Sequence, residues 1–117
     1  MLPVRYRLKA SREFQAVFSR GKSQADALIV LYTLPRSDEA VRFGFSMSRT
    51  FGGGVQRNRA KRLMSEAVHR LLPEIAPGQD IVLVARGRAK NAQLADITAS
   101  LGRLLTKARA RIGAEEQ

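Results

Sequence analysis

The hydrophobic period of this chain changes at three consecutive glycines, Gly52–Gly54. Before them, residues 41–48 (VRFGFSMS) alternate apolar and polar side chains, which is typical of a half-exposed β-strand. After them the apolar residues recur with a period of 3.6, which predicts a helix that begins near Val55 and ends before Pro73. The apolar face of that helix consists of Ala60, Leu63, Met64, Ala67, Val68 and Leu71. A strand that turns sharply into a long helix restricts the chain to folds that mix the two kinds of element.

The remaining elements follow from the same patterns. Ser11 is a plausible N-cap for a short helix, which Gly21 is expected to end in the left-handed conformation. The predicted segments are a helix at Arg12–Arg20, a strand at Ala27–Leu34, a strand at Asp80–Arg86 and a helix at Leu94–Arg111. The order α-β-β-α-β-α predicts a single-domain α-β sandwich over residues 1–117, with an ordered core at about 5–111 and a short C-terminal tail. The first two long strands are expected to form an antiparallel hairpin.

The charge of the chain points to an anionic partner. Twenty-one Lys and Arg against ten Asp and Glu give a net charge of +11, and a folded domain this basic most often binds nucleic acid. An anionic membrane surface is the competing partner, but no polylysine or lipid-anchor motif supports it. The longest apolar run, Ala27–Tyr32, is too short to cross a bilayer, and the basic N-terminus has no signal-peptide core. We therefore expect a soluble, cytoplasmic protein.

The densest cationic zone, Arg49–Arg62, contains five cations and no acid. Positive charge in the first turns of a helix opposes the helix dipole, so an anion is expected to bind there. The candidates for nucleic-acid contact are Arg49, Arg57, Asn58, Arg59, Lys61 and Arg62. The alternative is a solvated helix face, with Glu66 four residues from both Arg62 and Arg70. For Asn58 a capping or solvated role is as plausible as RNA contact.

Aromatic residues near the N-terminus allow two interpretations. Phe14 and Phe18 are four residues apart on the predicted first helix, a spacing that usually indicates core packing. Aromatic rings beside cations also hold single-stranded nucleic acid, and Arg12, Arg20 and Lys22 surround these two. The sequence does not decide which ring packs and which stacks. Tyr32 lies in a strand of buried type, where a half-buried hydroxyl is the alternative to RNA contact.

The sequence predicts no catalytic residue and no metal held by the chain alone. His69 is the only histidine and has no second ligand at a useful spacing. The acids do not cluster, since Asp38–Glu39 lies in a turn while Asp80 and Asp96 begin separate elements. A nuclease that holds two metal ions needs carboxylates that converge about 4 Å apart.

At Gly44–Leu63 the sequence resembles the signature of the bacterial ribonuclease P protein subunit, including its RNR motif at Arg57–Arg59. Glu13–Ser23 is similar to the first helix of that family and Val30–Leu34 to its first long strand, so the resemblance covers roughly residues 5–107. It implies an α+β sandwich with a central mixed sheet and a left-handed βαβ crossover, against the usual hand. It also implies that the chain assists a catalytic RNA, which uses Mg²⁺ held mainly by RNA and substrate to remove the 5′ leader of precursor tRNA.

The resemblance also assigns roles to residues. The helix with the RNR motif would face the catalytic RNA, and a cleft between the first helix and the sheet would hold the single-stranded leader. That cleft would be lined by Arg12, Phe14, Phe18 and Tyr32. The chain departs from the family at Arg49–Thr50, where many relatives have two lysines, at Ser65, where an arginine is frequent, and at Gly53–Gly54.

Two other functions remain open from the sequence. A structural RNA-binding protein of the ribosomal type fits the composition equally well, although it would not need an aromatic first helix beside cations. A DNA-binding module with a recognition helix is disfavoured because a strand directly precedes the basic helix. The sequence leaves the oligomeric state undetermined.

Overall fold

The computed structural model describes residues 2–112, so the predicted tail, Gly113–Gln117, lies outside the described residues. Its helices are α1 (Ser11–Arg20), α2 (Gly54–Leu71) and α3 (Leu94–Lys107), and its strands are β1 (Lys22–Ala25), β2 (Ile29–Pro35), β3 (Val41–Met47) and β4 (Gln79–Ala85). Short 3-10 helices lie at Val4–Tyr6, Leu72–Glu74 and Gly87–Asn91. The α+β class is confirmed, with one added strand. The sequence missed β1 because its residues, KSQA, are polar and mostly exposed.

The four strands form one mixed sheet in the order β1-β2-β4-β3. The predicted hairpin of the first two long strands is therefore wrong: β4 lies between β2 and β3, antiparallel to the first and parallel to the second. Leu83 shows the arrangement, since it lies opposite Leu31 on one side and Phe45 on the other. Nearly all of β4 is buried, and a strand that is apolar on both faces is most stable in the centre of a sheet. The left-handed sense of the β3-α2-β4 crossover stays a prediction.

Each face of the sheet packs against different helices. On one face α2 and α3 cover a core that includes Ile29, Leu31, Phe43, Ile81 and Leu83. On the other face α1 packs over β2 and β4, and its buried contacts are Leu8, Val17 and Val82. Replacing one of the fully buried leucines by alanine is expected to cost about 2–5 kcal/mol of stability. The smaller α1 layer leaves part of its face of the sheet accessible.

The ends of α1 differ from the sequence-based expectation. The N-terminal cap is made by Glu13, not Ser11, because its Oε1 accepts the backbone N–H groups of Lys9 and Ala10, each at 2.8 Å. Gly21 is extended (φ −77°, ψ 167°), not left-handed, and leads straight into β1. Glycine is required there by close approach, since a Cβ atom would lie 2.7 Å from the carbonyl oxygen of Thr33.

The last helix also ends earlier than predicted, at Lys107 instead of Arg111, and Arg109 follows it with a positive φ of 57°. Its inward face is confirmed: Ile97, Leu101, Leu104 and Leu105 are buried, and Leu94 is partly buried. Within residues 2–112 no helix is both long enough and apolar enough to cross a bilayer.

Candidate nucleic-acid interface

The connection from β3 to α2 is held in a fixed shape by its own residues. Phe51 is completely buried and anchors the connection in the core. Gly52 has φ of +146°, a conformation that favours glycine. The side-chain oxygen of Gln56 then accepts the N–H of Gly53 at 3.0 Å and caps the start of α2. Only the first of the three glycines is therefore required by backbone geometry, and α2 starts from a rigid position.

Arg57 folds back over this connection. Its Nε donates to the carbonyl oxygen of Gly52 at 3.0 Å, and its Nη2 donates to those of Arg49 at 3.1 Å and Ser48 at 3.3 Å. These acceptors are neutral, so the guanidinium keeps its charge while it braces the loop. No local sequence pattern indicates these contacts.

Arg59 makes a similar contact in another direction. Its Nη1 donates to the carbonyl oxygen of Lys90 at 3.1 Å and its Nη2 to that of Ala92 at 2.8 Å. The half-buried side chain thereby ties α2 to the segment that precedes α3. Both arginines of the RNR motif have a structural role that sequence patterns miss, because their partners are backbone atoms.

The other four predicted contact residues, Arg49, Asn58, Lys61 and Arg62, are exposed. We call the six predicted residues together the α2 surface. Within residues 2–112 no carboxylate pairs with any of its cations, and Glu66 pairs with Arg70 at 3.4 Å instead of with Arg62. Lys90, whose Nζ lies 5.9 Å from the centre of the Phe51 ring, adds a cation beside this surface that the sequence analysis did not single out.

The aromatic residues of α1 lie on the opposite face of the sheet. Phe18 and Tyr32 meet edge to face, with ring centroids 4.9 Å apart and an interplanar angle of 87°. Phe14 packs directly over Gly44, where any Cβ atom would collide with its ring. All three rings are half-buried, and Arg12 is exposed. The structure thus brings the three predicted aromatic residues into one cluster, with every ring both packed and partly accessible.

A cavity of about 190 Å³ extends from Phe14 towards α2. It is lined by Leu2, Arg7, Leu8, Phe14, Phe43, Gly44, Phe45, Lys61 and Ser65. Ser65 is buried in its wall. We call the side of the sheet that carries the rings of Phe14, Phe18 and Tyr32 the α1 face. The cavity connects this face to the α2 surface along the edge of the sheet that β3 forms.

The acids near α1 are bound by arginines. Arg42 Nε and Nη2 donate to the two carboxylate oxygens of Asp80, both at 2.9 Å, and Arg36 Nη1 reaches the same carboxylate at 3.1 Å. Arg36 also pairs with Asp38, and this contact lowers the pKa of Asp38 to about 2. In the described part of the chain, no three acidic, histidine or cysteine side chains cluster in a way that could hold a metal ion. His69 is exposed on α2.

Comparisons with known proteins agree on one family. The profile of the Ribonuclease P family matches residues 2–109. The ribonuclease P protein component of Oceanobacillus iheyensis is 39% identical over 103 residues, which cover 87% of this chain and 85% of that protein.

Two solved structures of the Staphylococcus aureus ribonuclease P protein superpose on this chain, each with a TM-score of 0.81 and 32% identity. The first covers 90% of this chain and 96% of its own length. The second, described as a mutant with defective mRNA degradation activity, covers 89% of this chain and 88% of its own length. The profile match over residues 2–109 and the relatives that cover most of the chain show that it belongs to the ribonuclease P protein family.

Proposed function

We propose that this chain is the protein subunit of a ribonuclease P ribonucleoprotein, and that it helps the catalytic RNA to remove the 5′ leader of precursor tRNA. The family membership supports a role in tRNA processing and a ribonuclease P RNA as partner. The α2 surface is the contact with the catalytic RNA, and the α1 face holds the single-stranded leader. Mg²⁺ is held mainly by the RNA and the substrate.

The observation that carries the proposal for the catalytic RNA is the acid-free α2 surface. Its cations either are exposed or donate to neutral carbonyl oxygens, so their charge is available to phosphate groups. Phosphate contacts of this kind supply sequence-independent affinity and fix the orientation of a protein on RNA. The braced connection at Phe51 and Gly52 gives these charges a fixed geometry before RNA arrives.

The leader proposal is supported by the half-buried rings of Phe14, Phe18 and Tyr32. A ring that is packed on one side and accessible on the other is a stacking platform, because bases of any identity can lie against it. A single-stranded leader of variable sequence needs this kind of contact and not hydrogen-bond recognition of base edges.

The identity of the RNA separates this function from that of a structural RNA-binding protein. The chain is purified from its host under native conditions, and the bound RNA is sequenced. We expect the ribonuclease P RNA to be enriched over ribosomal RNA. A preparation that contains ribosomal RNA alone would support the ribosomal-type alternative.

Cleavage by the chain itself is the second candidate, because the S. aureus relative is described through a mutant defective in mRNA degradation. We infer that the RNA-free chain is inactive on precursor tRNA and on mRNA, since Asp80, Glu13 and Asp38 are all engaged by arginines. The test is incubation of both substrates with RNA-free protein and Mg²⁺. Magnesium-dependent cleavage that is abolished by Asp80→Asn or Asp96→Asn would contradict this inference.

A further inference from the structure

Five charged side chains form a continuous chain of ion pairs that ends at the first turn of α1. In order they are Asp38, Arg36, Asp80, Arg42 and Glu13, and we call them the charge chain. Its centre is Asp80 on β4, which is 7% exposed and receives hydrogen bonds from both arginines. Its last link joins Arg42 Nη1 to Glu13 Oε2, and so connects β3 to α1.

Glu13 uses its two carboxylate oxygens for different purposes. Oε1 caps α1 through the N–H groups of Lys9 and Ala10, while Oε2 accepts from Arg42. Chiefly the two backbone N–H groups, and in addition Arg42, lower the pKa of Glu13 to about 2, so the carboxylate is ionised at neutral pH. One side chain therefore fixes both the start of α1 and its attachment to the sheet.

This attachment lies beside the aromatic contact of the same helix turn. Phe14 follows Glu13 directly, and it packs on Gly44, two residues after Arg42 and on the same face of β3. The Glu13–Arg42 distance thus controls how closely the first turn of α1 approaches β3. Because the Phe14 ring lies in contact with the backbone of β3, this approach sets where the α1 rings lie on the sheet.

We propose that Glu13 is a positioning residue for the leader: its ion pair with Arg42 holds α1 against β3, so that the partly accessible α1 rings keep the position on which one unpaired RNA strand stacks. The inference rests on the proposed leader cleft. Arg42 lies on the same face of the sheet, but Asp80 and Glu13 neutralise it, so it orients the helix and does not bind phosphate.

The test is Glu13→Gln in the reconstituted holoenzyme. Glutamine can still accept the two backbone N–H groups, so the cap is retained while the ion pair is lost. The matched control is Asp38→Asn, which also raises the net charge by one, at the far end of the charge chain and away from α1. Affinities for precursor tRNA and for mature tRNA, which lacks the leader, are measured with each protein.

We expect the ratio of precursor to mature affinity to fall about three- to tenfold in Glu13→Gln and to stay within about twofold in Asp38→Asn. A purely structural role would lower the melting temperature without changing this ratio. Arg42→Lys provides a second variant if Glu13→Gln fails to fold, because an ammonium group cannot bridge two carboxylates in the same geometry. The same fall in the ratio is expected.

The outcomes separate this inference from the function on which it rests. If wild-type holoenzyme discriminates but Glu13→Gln leaves the ratio unchanged, the positioning role is wrong and the leader cleft stands. A ratio that rises in Glu13→Gln would also overturn it, since a released Arg42 would then be binding leader phosphate. If the wild-type holoenzyme itself shows no discrimination, the leader cleft is wrong.

Discussion

The arginines at the start of α2 and the arginine that contacts the start of α1 donate to different kinds of acceptor. Arg57 and Arg59 donate to neutral backbone carbonyl oxygens, so their contacts stabilise the fold and their charge remains. Arg42 donates to two carboxylates, so its contacts also stabilise the fold but cancel its charge. The cations that make up the net charge of +11 are therefore not equally available to RNA. A cation with a neutral partner can still bind phosphate, whereas one paired with carboxylates cannot.

The largest expected effect is on RNA binding by the α2 surface. The triple change Arg49→Gln, Lys61→Gln and Arg62→Gln removes three exposed cations, and we expect about a hundredfold weaker binding to ribonuclease P RNA at ~0.15 M salt. The slope of log affinity against log salt should fall by about 2 to 3. Filter binding across a salt series measures both quantities.

The matched control for that triple removes three cations that already pair with acids: Arg70→Gln, Arg103→Gln and Arg111→Gln. Its net charge falls by the same amount, but each lost cation also releases a carboxylate partner. We expect less than about a tenfold change in affinity. Equal losses in the two triples would show that net charge alone governs binding and would remove the distinction between cations with and without an acidic partner.

Next in size is the effect of Phe18→Leu on leader recognition. Leucine keeps most of the apolar volume but cannot stack, and a base–aromatic stack is worth about 1–3 kcal/mol. We expect about a tenfold loss of affinity for precursor tRNA and none for mature tRNA. The control is Phe45→Leu, whose ring packs on the α2 and α3 side of the sheet. An equal loss with both tRNAs, together with a lower melting temperature, would mean that Phe18 serves only in packing.

A smaller effect is expected on stability from Arg59→Ala. Loss of its two hydrogen bonds to the Lys90 and Ala92 carbonyl oxygens should lower the free energy of unfolding by about 1–2 kcal/mol. Exposed Arg62 makes no such contact within residues 2–112, and Arg62→Ala should change the free energy of unfolding by less than about 0.5 kcal/mol. Urea unfolding of the RNA-free proteins compares them. Indistinguishable midpoints would show that the carbonyl contacts of Arg59 do not stabilise the fold.

The smallest expected effect is the pH dependence contributed by Glu13. Its pKa is about 2 in the folded chain against an ordinary value of 4.5, so its stabilising contribution is complete above about pH 4.5 and is lost as the pH falls towards 2. Glu13→Gln should therefore melt below wild type at pH 7, and the two melting temperatures should converge as the pH approaches 2. Asp38 titrates in the same range, but it is present in both proteins and its effect cancels. A constant difference at all pH values would contradict the ion-pair role.

The periodic elements were predictable because local pattern specifies them. The buried face of α2 and the inward face of α3 follow from apolar spacing alone, as do the three longer strands. Strand β1 was missed since its exposed edge position requires no apolar residue. The incorrect pairing of β2 with β3 could have been avoided from the sequence. Residues 81–85 (IVLVA) form a continuous apolar run, which is typical of a strand in the centre of a sheet.

The residues of the two candidate surfaces could be chosen from the sequence, but their contacts could not. The acid-free run at Arg49–Arg62 and the spacing of Phe14 and Phe18 mark both surfaces in the sequence. That Arg59 contacts Lys90, or that Arg42 contacts Glu13, depends on how distant segments meet in space. Sequence reasoning therefore counts the cations, whereas only the fold shows which of them are neutralised.

The central position of β4 also constrains how the chain can assemble. During synthesis β2 and β3 emerge before β4, yet in the native sheet they are not neighbours, because β4 lies between them and begins only at Gln79. A chain that ends before this residue can form at most the β1–β2 pair and leaves β3 without a strand partner. Productive folding is thus delayed until the last strand is available, as expected for contacts of high sequence separation. Before β4 is available, the sheet that positions the α1 and α2 surfaces relative to each other is therefore incomplete.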